Sequence, residues 1–436
     1  MKPTRVRYGM LALVFVNVAI NYLDRANISV AATGSLGKDL QLSNVELGYI
    51  FSAFSWAYAA LQIPGGLIAD RFGPRILYAF CLITWSFATL AQGFVKGFAG
   101  LFALRLTTGT FEAPSYPINN RIVTSWFPNN ERASATAIYV SGQFIGLAFL
   151  TPVLIKVQGY IGWQGLFVGT GLVGLLWGII WYFFYRDPLD HTEVNQAELN
   201  HIEEGGGVFR PKEKSSTQVN QWQWANLKQV VSGRTLWGVY IGQFSVNAML
   251  WFFLTWFPKY LVNYRGVDYN KSSYLTAIPF LAACAGLLLS GFFSDRLVKQ
   301  GKSVGMARKT PIITGLLISV SIIGANYTND TALVIFFLSL AFFGIGMALI
   351  SWVFVSILSP KNLIGLTGGV FNLMGNLAGI IVPIVIGYLA KDGNFKPAMV
   401  FIGAIGFIGA CSYIFLVGNV DKAIANTRAK EETLTL

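Results

Sequence analysis

The stretch NYLDRANISV, residues 21 to 30, sets Asp24 and Arg25 side by side in an otherwise apolar N-terminal segment. A charge at the centre of a helix in lipid costs roughly 2.5–3.5 kcal/mol on insertion scales, so each needs a task. Neighbours on a helix point about 100° apart, which makes the two a poor pair for one another. Each must answer to an aqueous cavity or to another helix. Asn17, Asn21 and Asp24 share one helical face, with Tyr22 on its flank. A second constellation reads LRLTTGTFEAPSYPINNR (104–121). Arg105 and Glu112 stand two turns apart on one face, and Asn119 continues the stripe. Pro114 and Pro117 predict a kink just after Glu112, with backbone carbonyls freed there.

Of the twenty acidic residues, only Asp24 and Glu112 fall well inside apolar runs, and both histidines, His191 and His201, lie in a polar connection. Proton coupling, if the chain performs it, therefore falls to these two carboxylates. Burial favours the neutral acid and a nearby guanidinium favours the charged form, and a proton-coupling group needs that competition. Two arginines at membrane depth, Arg25 and Arg105, point to an anionic substrate, because a guanidinium fork matches a carboxylate. Tyr58 and Gln62 share a face, Gln143 lies in a later run, and Gln243, Asn247 and Trp251 recur every fourth residue. Ser351, Trp352, Asn372 and Asn376 add to the set. Any one of these could simply bond a neighbouring helix; together they suit a polyol better than an aliphatic acid.

The elements that must position these groups follow from composition. The chain has 436 residues, 54% hydrophobic and only 12% charged, against about a quarter charged in soluble proteins. A helix needs about 20 apolar residues to span a bilayer. About twelve such runs follow one another, the first around Ala19 and the last around Ile408, each long enough to span on that measure. The first run continues past Ala31 and reads as a permanent span rather than a cleaved leader. The expectation is an all-α integral membrane protein of twelve transmembrane helices in two pseudo-symmetric six-helix bundles. Residues 1–186 would form the first bundle, 187–233 a cytoplasmic linker and 234–436 the second bundle.

The net charge of +12 reads as topology rather than nucleic-acid binding. With both termini inside, roughly 22 Lys and Arg face the cytoplasm against about 8 outside, the positive-inside asymmetry. Basic clusters such as RLVKQGKSVGMARK (296–309) then need only the membrane surface. Cys81, Cys284 and Cys411 lie in separate runs, so neither a disulfide framework nor a metal site follows. No cofactor is implied. GLIADRFGPR (66–75) and GFFSDRLVKQ (291–300) share G-x-x-x-D-R at matching places in each half. Asp70, Arg71, Asp295 and Arg296 thus mark a duplicated architecture, in which substrate sits between two halves near the midplane. The glycines of HIEEGGGVFRPKEKSSTQ (201–218) lack a following Gly-Lys-Ser/Thr and read as part of a flexible tether. Those of TGGVFNLMGNLAG (367–379) read as close-packing positions.

NYLDRAN (21–27), FSAFSWAY with QIPGG (51–66) and FEAPSYPINNRIVTSWFPNNERA (111–133) carry a resemblance, joined by LWFFLTWFP (250–258), ARKTPI (307–312) and GLTGGVFN (365–372). Over its whole length the chain resembles the major facilitator superfamily, in particular its anion:cation symporter branch. The resemblance implies alternating access by rocking of two bundles, with Asp24 and Glu112 as protonation sites. It implies substrate contacts from Tyr22, Arg25, Tyr58, Arg105, Gln143, Ser351, Trp352 and Asn372, and a gating role for the two Asp-Arg motifs. The implied activity is proton-driven import of a sugar acid, an aldonate such as D-galactonate, by a monomer in the bacterial inner membrane. One departure stands out: Leu349 replaces a hydroxyl residue and Ser351 a threonine of the galactonate carriers. Competing expectations are a carrier of another organic anion (glucarate or galactarate, a hexuronate, an aromatic acid, phosphate) or a membrane sensor without transport. An intramembrane enzyme would need a nucleophile, base or metal constellation that the chain lacks.

Overall fold

A computed structural model describes residues 3–208, 224–359 and 363–420, with the side chains of a few helical positions excluded. Every regular element among the described residues is helical. Helix α1 spans Val6–Thr33. The run Asn44–Gln92 is two helices, α2 (44–72) and α3 (74–92), joined where Gly73 adopts φ 76°. Helix α4 runs Phe98–Glu112 and resumes as Ser115–Trp126. The run Asn129–Phe184 divides likewise into α5 (129–161) and α6 (163–184) at Gly162, φ 71°. A residue with a Cβ is strained at such φ, so glycine is the residue that lets two spans join without a loop.

The second series begins with α7 (Arg234–Thr255), extended through Phe257–Lys259 and a π turn. It continues with α8 (Tyr269–Lys299), α9 (Val304–Ser319 with the 3-10 extension Val320–Tyr327) and α10. Helix α10 is Thr331–Ala348, a 3-10 turn Leu349–Trp352, then Val353–Leu358. Helices α11 (Ile364–Leu389) and α12 (Lys396–Cys411, ending in a π turn) complete it. Among the described residues, eight helical stretches are long and apolar enough to cross a membrane, and one of these, Asn129–Phe184, contains two arms. Helix α4 is not among the eight; its two pieces have 15 and 12 residues.

Contacts divide the chain into two units, Met1–Ser215 and Ser216–Leu436. Within the first, α1 packs on the α5/α6 run and α4 on the α2/α3 run; within the second, α7 packs on α11 and α8 on α10. Lipid supplies no hydrophobic drive between helices, so small residues that let backbones approach do the joining. A Cβ on Gly109 would stand 2.2 Å from the Phe54 carbonyl oxygen, and one on Gly346 2.0 Å from that of Ala283. The same α4–α2 contact is thus repeated as α10–α8, which gives the duplication read from the Asp-Arg motifs a packing counterpart. Arg296 lies exposed in the last turn of α8, while the side chains of Asp70, Arg71 and Asp295 lie outside the described residues.

The connection after α6 departs from a free tether. Its helix Gln196–Glu204 packs on the first unit, with Glu198 fully buried. Glu198 accepts from the Val6 amide at 3.0 Å and from Arg7 Nη1 at 3.1 Å. Arg7 also holds Glu131 at 3.0 Å, and Glu131 meets His201 Nε2 at 3.2 Å. Arg132 clamps the glycine segment by donating to the Gly206 carbonyl at 2.7 Å. The flexible tether expected over 201–218 is therefore held against the first bundle over 201–208, where buried charge pairs outweigh the freedom of three glycines; residues 209–218 lie outside the described residues.

Candidate functional site

In the first unit α1, α2, α4 and α5 bring seven predicted site residues together. The break at Ala113 and Pro114 ends the first piece of α4 at Glu112 and keeps both residues near helical backbone angles. The stripe Arg105, Glu112, Asn119 therefore keeps its phase across the break, and all three are buried. Asp24 and Glu112 are each fully buried within the bundle. Neither faces outward.

Arg25 answers to Glu112 across 87 residues of sequence, donating from Nε to Oε1 at 2.6 Å, with Nη2 at 2.5 Å from the same oxygen. Its guanidinium also lies against three rings, 4.7 Å from Tyr22 and Phe54 and 4.9 Å from Tyr58. Aromatic faces attract cations most where water is excluded, so this cage holds a charge that the bilayer would otherwise reject. Asp24 takes a different partner. Its Oδ2 accepts from Trp85 Nε1 at 3.1 Å, and its Oδ1 has no hydrogen-bond partner. Arg105 sits between the two, over Phe54 at 5.4 Å and donating to the Asp24 backbone carbonyl at 3.4 Å. Phe54 thus shares one ring between both guanidiniums, and the Gly109–Phe54 contact sets its depth.

A polar chain runs from this centre. The hydroxyls of Tyr22 and Tyr116 stand 3.5 Å apart, and Tyr116 donates to Gln143 Oε1 at 3.4 Å. The remaining polar face of α1 turns to α6. Asn17 accepts from Trp177 in a short contact, Asn27 donates to Thr170 at 3.3 Å, and Asn21 is buried with neither amide atom bonded. Of the face shared by Asn17, Asn21 and Asp24, Asn17 turns to α6 while Asp24 turns to Trp85.

In the second unit the predicted residues form their own group. The 3-10 turn in α10 carries Ser351, buried, which approaches Gln243 Oε1 at 3.4 Å. Asn247 caps the Gln243 carbonyl at 3.0 Å, and Gly375 of α11 packs against both side chains. Trp352 is 47% exposed, its ring 4.7 Å from Phe371. Asn372 is half-buried and its carbonyl accepts from Asn376 at 3.1 Å. The side chain of Gln62 lies outside the described residues.

Phe54, Trp85 and Tyr116 were not singled out from the sequence. Phe54 and Tyr116 lie within FSAFSWAY and APSYP, but an aromatic residue in an apolar run carries no sign of what it faces. Trp85 is legible only through its partner.

A family model described as Major Facilitator Superfamily matches residues 14–383. The chain is 50% identical to a D-galactonate transporter of Escherichia coli O6:H1 over 421 residues, 97% of this chain and 98% of that one. It is 41% identical over 442 residues to the probable galactarate/D-glucarate transporter GudP of Bacillus subtilis, 100% and 97% of the two chains. Among solved structures, a bacterial homolog of the human lysosomal transporter Spinster, inward-facing and occupied, matches with TM-score 0.77 at 19% identity, covering 96% of this chain and 98% of that one. The inward open xylose transporter XylE from E. coli matches with TM-score 0.74 at 14% identity, over 96% and 99%. Family model, near relatives and fold agree: the chain belongs to the Major Facilitator Superfamily, and it is a multi-pass membrane transporter rather than an enzyme.

Proposed function

We propose that this protein imports a sugar acid, an aldonate such as D-galactonate, together with protons, and that it works as a monomer by alternating access. In this reading residues 1–186 and 234–436 are the two moving bundles, and the connection and both termini face the cytoplasm of a bacterial inner membrane. The observation that carries the coupling is the Arg25–Glu112 pair. An ionised Glu112 occupies the guanidinium that an incoming carboxylate would need. Protonating Glu112 releases Arg25 at the moment its charge becomes available, so proton and anion enter together. Asp24, bonded on one oxygen only, takes the second proton-coupling place beside Arg105.

Arg25 and Arg105 would then hold the carboxylate, while Tyr22, Tyr58, Gln143, Ser351, Trp352 and Asn372 read the hydroxylated chain. The Asp-Arg motifs of α2 and α8, with Asp70, Arg71, Asp295 and Arg296, are assigned to gating. The names of the relatives support both an aldonate and an aldarate. Uptake of labelled galactonate challenged with glucarate and galactarate separates the two. The coupling is tested in proteoliposomes with an imposed pH gradient. Glu112→Gln, which mimics the neutral acid, is expected to lose accumulation while substrate exchange continues. A variant that still concentrates substrate overturns the assignment.

A further inference from the structure

Below Glu112 a second polar series leads away from the proposed substrate residues, wholly inside the first unit. Ser115, Asn119 and Trp126 continue the α4 stripe, and Tyr78 of α3 with Trp181 of α6 line its other side. All are buried to 1% exposure or less. The Tyr78 hydroxyl lies beside Ser115 and Asn119 and within the field of Glu112. Yet Glu112 Oε2 and the Trp181 indole nitrogen lack a hydrogen-bond partner, and Tyr78 with Ser115 and Asn119, like Trp126 with Tyr185, approach one another without forming hydrogen bonds of good geometry. Aromatic rings wall the rest of the distance. Trp181 meets Tyr78 edge-on at 4.8 Å and stacks on Tyr185 at 4.6 Å. Tyr185 lies beside Trp126 and donates to Asp187 Oδ1 at 3.0 Å, at the end of the bundle where the chain leaves α6.

Each unmet buried polar group carries the full penalty of its lost hydration. A string of them is therefore not a core packed for stability. Buried water bonds to two to four such groups at a time and lasts where several converge. From Glu112 to Trp126 the string covers about 20 Å along the helix. A lipid-facing stripe would not show full burial.

We infer that Glu112 exchanges its proton with the cytoplasm through this intrabundle series of hydroxyls and bound water, ending at Asp187, by a route separate from the substrate's. A proton leaves the Glu112 carboxyl for the nearest water or hydroxyl as another leaves the far end past Asp187 to bulk solvent: one O–H bond breaks at Glu112, one forms on solvent water, and each relay group between them ends as it began. Asn119, Trp126 and Trp181 orient the relay, and Ser115, Tyr78 and Tyr185 pass protons. Substrate then never has to clear the cavity before the carboxylate is reset. The inference rests on Glu112 being the coupling group.

The test uses the full chain in proteoliposomes with labelled galactonate. Asn119→Leu fills the polar position with an apolar side chain of similar size, and Tyr78→Phe removes one hydroxyl. Gradient-driven uptake is expected to fall about tenfold or more in Asn119→Leu, as expected for losing a proton-transfer partner. Exchange at equal pH, which needs no proton release, stays within about twofold and shows that the protein is folded. Asn119→Ser, which keeps a polar group and room for water, retains uptake. Unchanged driven uptake in both Asn119→Leu and Tyr78→Phe overturns the route, as does an equal loss of exchange in a stably folded Asn119→Leu. Glu112→Gln in the same vesicles separates the two claims: if it still accumulates substrate the coupling reading fails, and if it alone fails to accumulate only the route does.

Discussion

Arg25 shows how much one side chain is asked to do in a bilayer. It pairs with Glu112 at 2.6 Å and lies against the rings of Tyr22, Phe54 and Tyr58. A lysine keeps the charge but loses both the planar fork and the stacking, so Arg25→Lys is not a conservative change here. Substrate affinity, read by titration calorimetry in detergent, is expected to weaken by about 2 kcal/mol, the cost of one charge-assisted hydrogen bond. An unchanged affinity would remove Arg25 from the list of substrate contacts. The neighbouring Asp24 depends on a donor, Trp85, that no spacing rule reveals. Adjacency in sequence assigned neither residue its partner.

At the scale of elements, the centre depends on how closely α2 and α4 approach. Phe54 lies between the two guanidiniums, and its carbonyl would stand 2.2 Å from a Cβ on Gly109. The blocking atom belongs to the backbone of a helix and cannot rotate away. Gly109→Ala is expected to separate the helices and destabilise the bundle by about 1–3 kcal/mol, the usual range for overpacking. Thermal unfolding of the purified protein checks this; Gly100→Ala, where the nearest atom lies 3.5 Å away, serves as a control expected to lie close to wild type. The counterpart pair Gly346 and Ala283 makes the equivalent approach in the second unit. A duplicated fold is visible here as a duplicated packing solution.

At the scale of the whole molecule, the connection after α6 is part of the first unit's structure. Burial pushes the Glu198 carboxyl up, but bonds from Thr4, the Arg7 and Val6 amides and the Arg7 side chain outweigh it and hold it below the ordinary value. A carboxyl depressed in the folded state stabilises above its unfolded value, and that contribution is lost as pH falls through the folded one. Docking of residues 187–208 is therefore expected to weaken as pH falls through the Glu198 value. Glu198→Ala is expected to cost about 2 kcal/mol, as for an Arg7 donor left without its buried acceptor. Hydrogen–deuterium exchange across 187–208 should rise at neutral pH in that variant, and in the wild type only on acidification. Slow exchange in Glu198→Ala at neutral pH would mean that the glycine clamp by Arg132 suffices alone.

Hydropathy, charge asymmetry and the repeated Asp-Arg motif are local properties, and they were enough to read an all-helical membrane fold, its two series of spans and the two carboxylates at depth. The stripe Arg105, Glu112, Asn119 was legible too, because helical phase survives a break that keeps near-helical backbone angles. Partnership was not. Arg25 meets Glu112, Asp24 meets Trp85, and Glu198 anchors a segment whose composition reads as loose. Each of these depends on the depth and rotation of one helix against another, and the period of a single helix contains neither quantity.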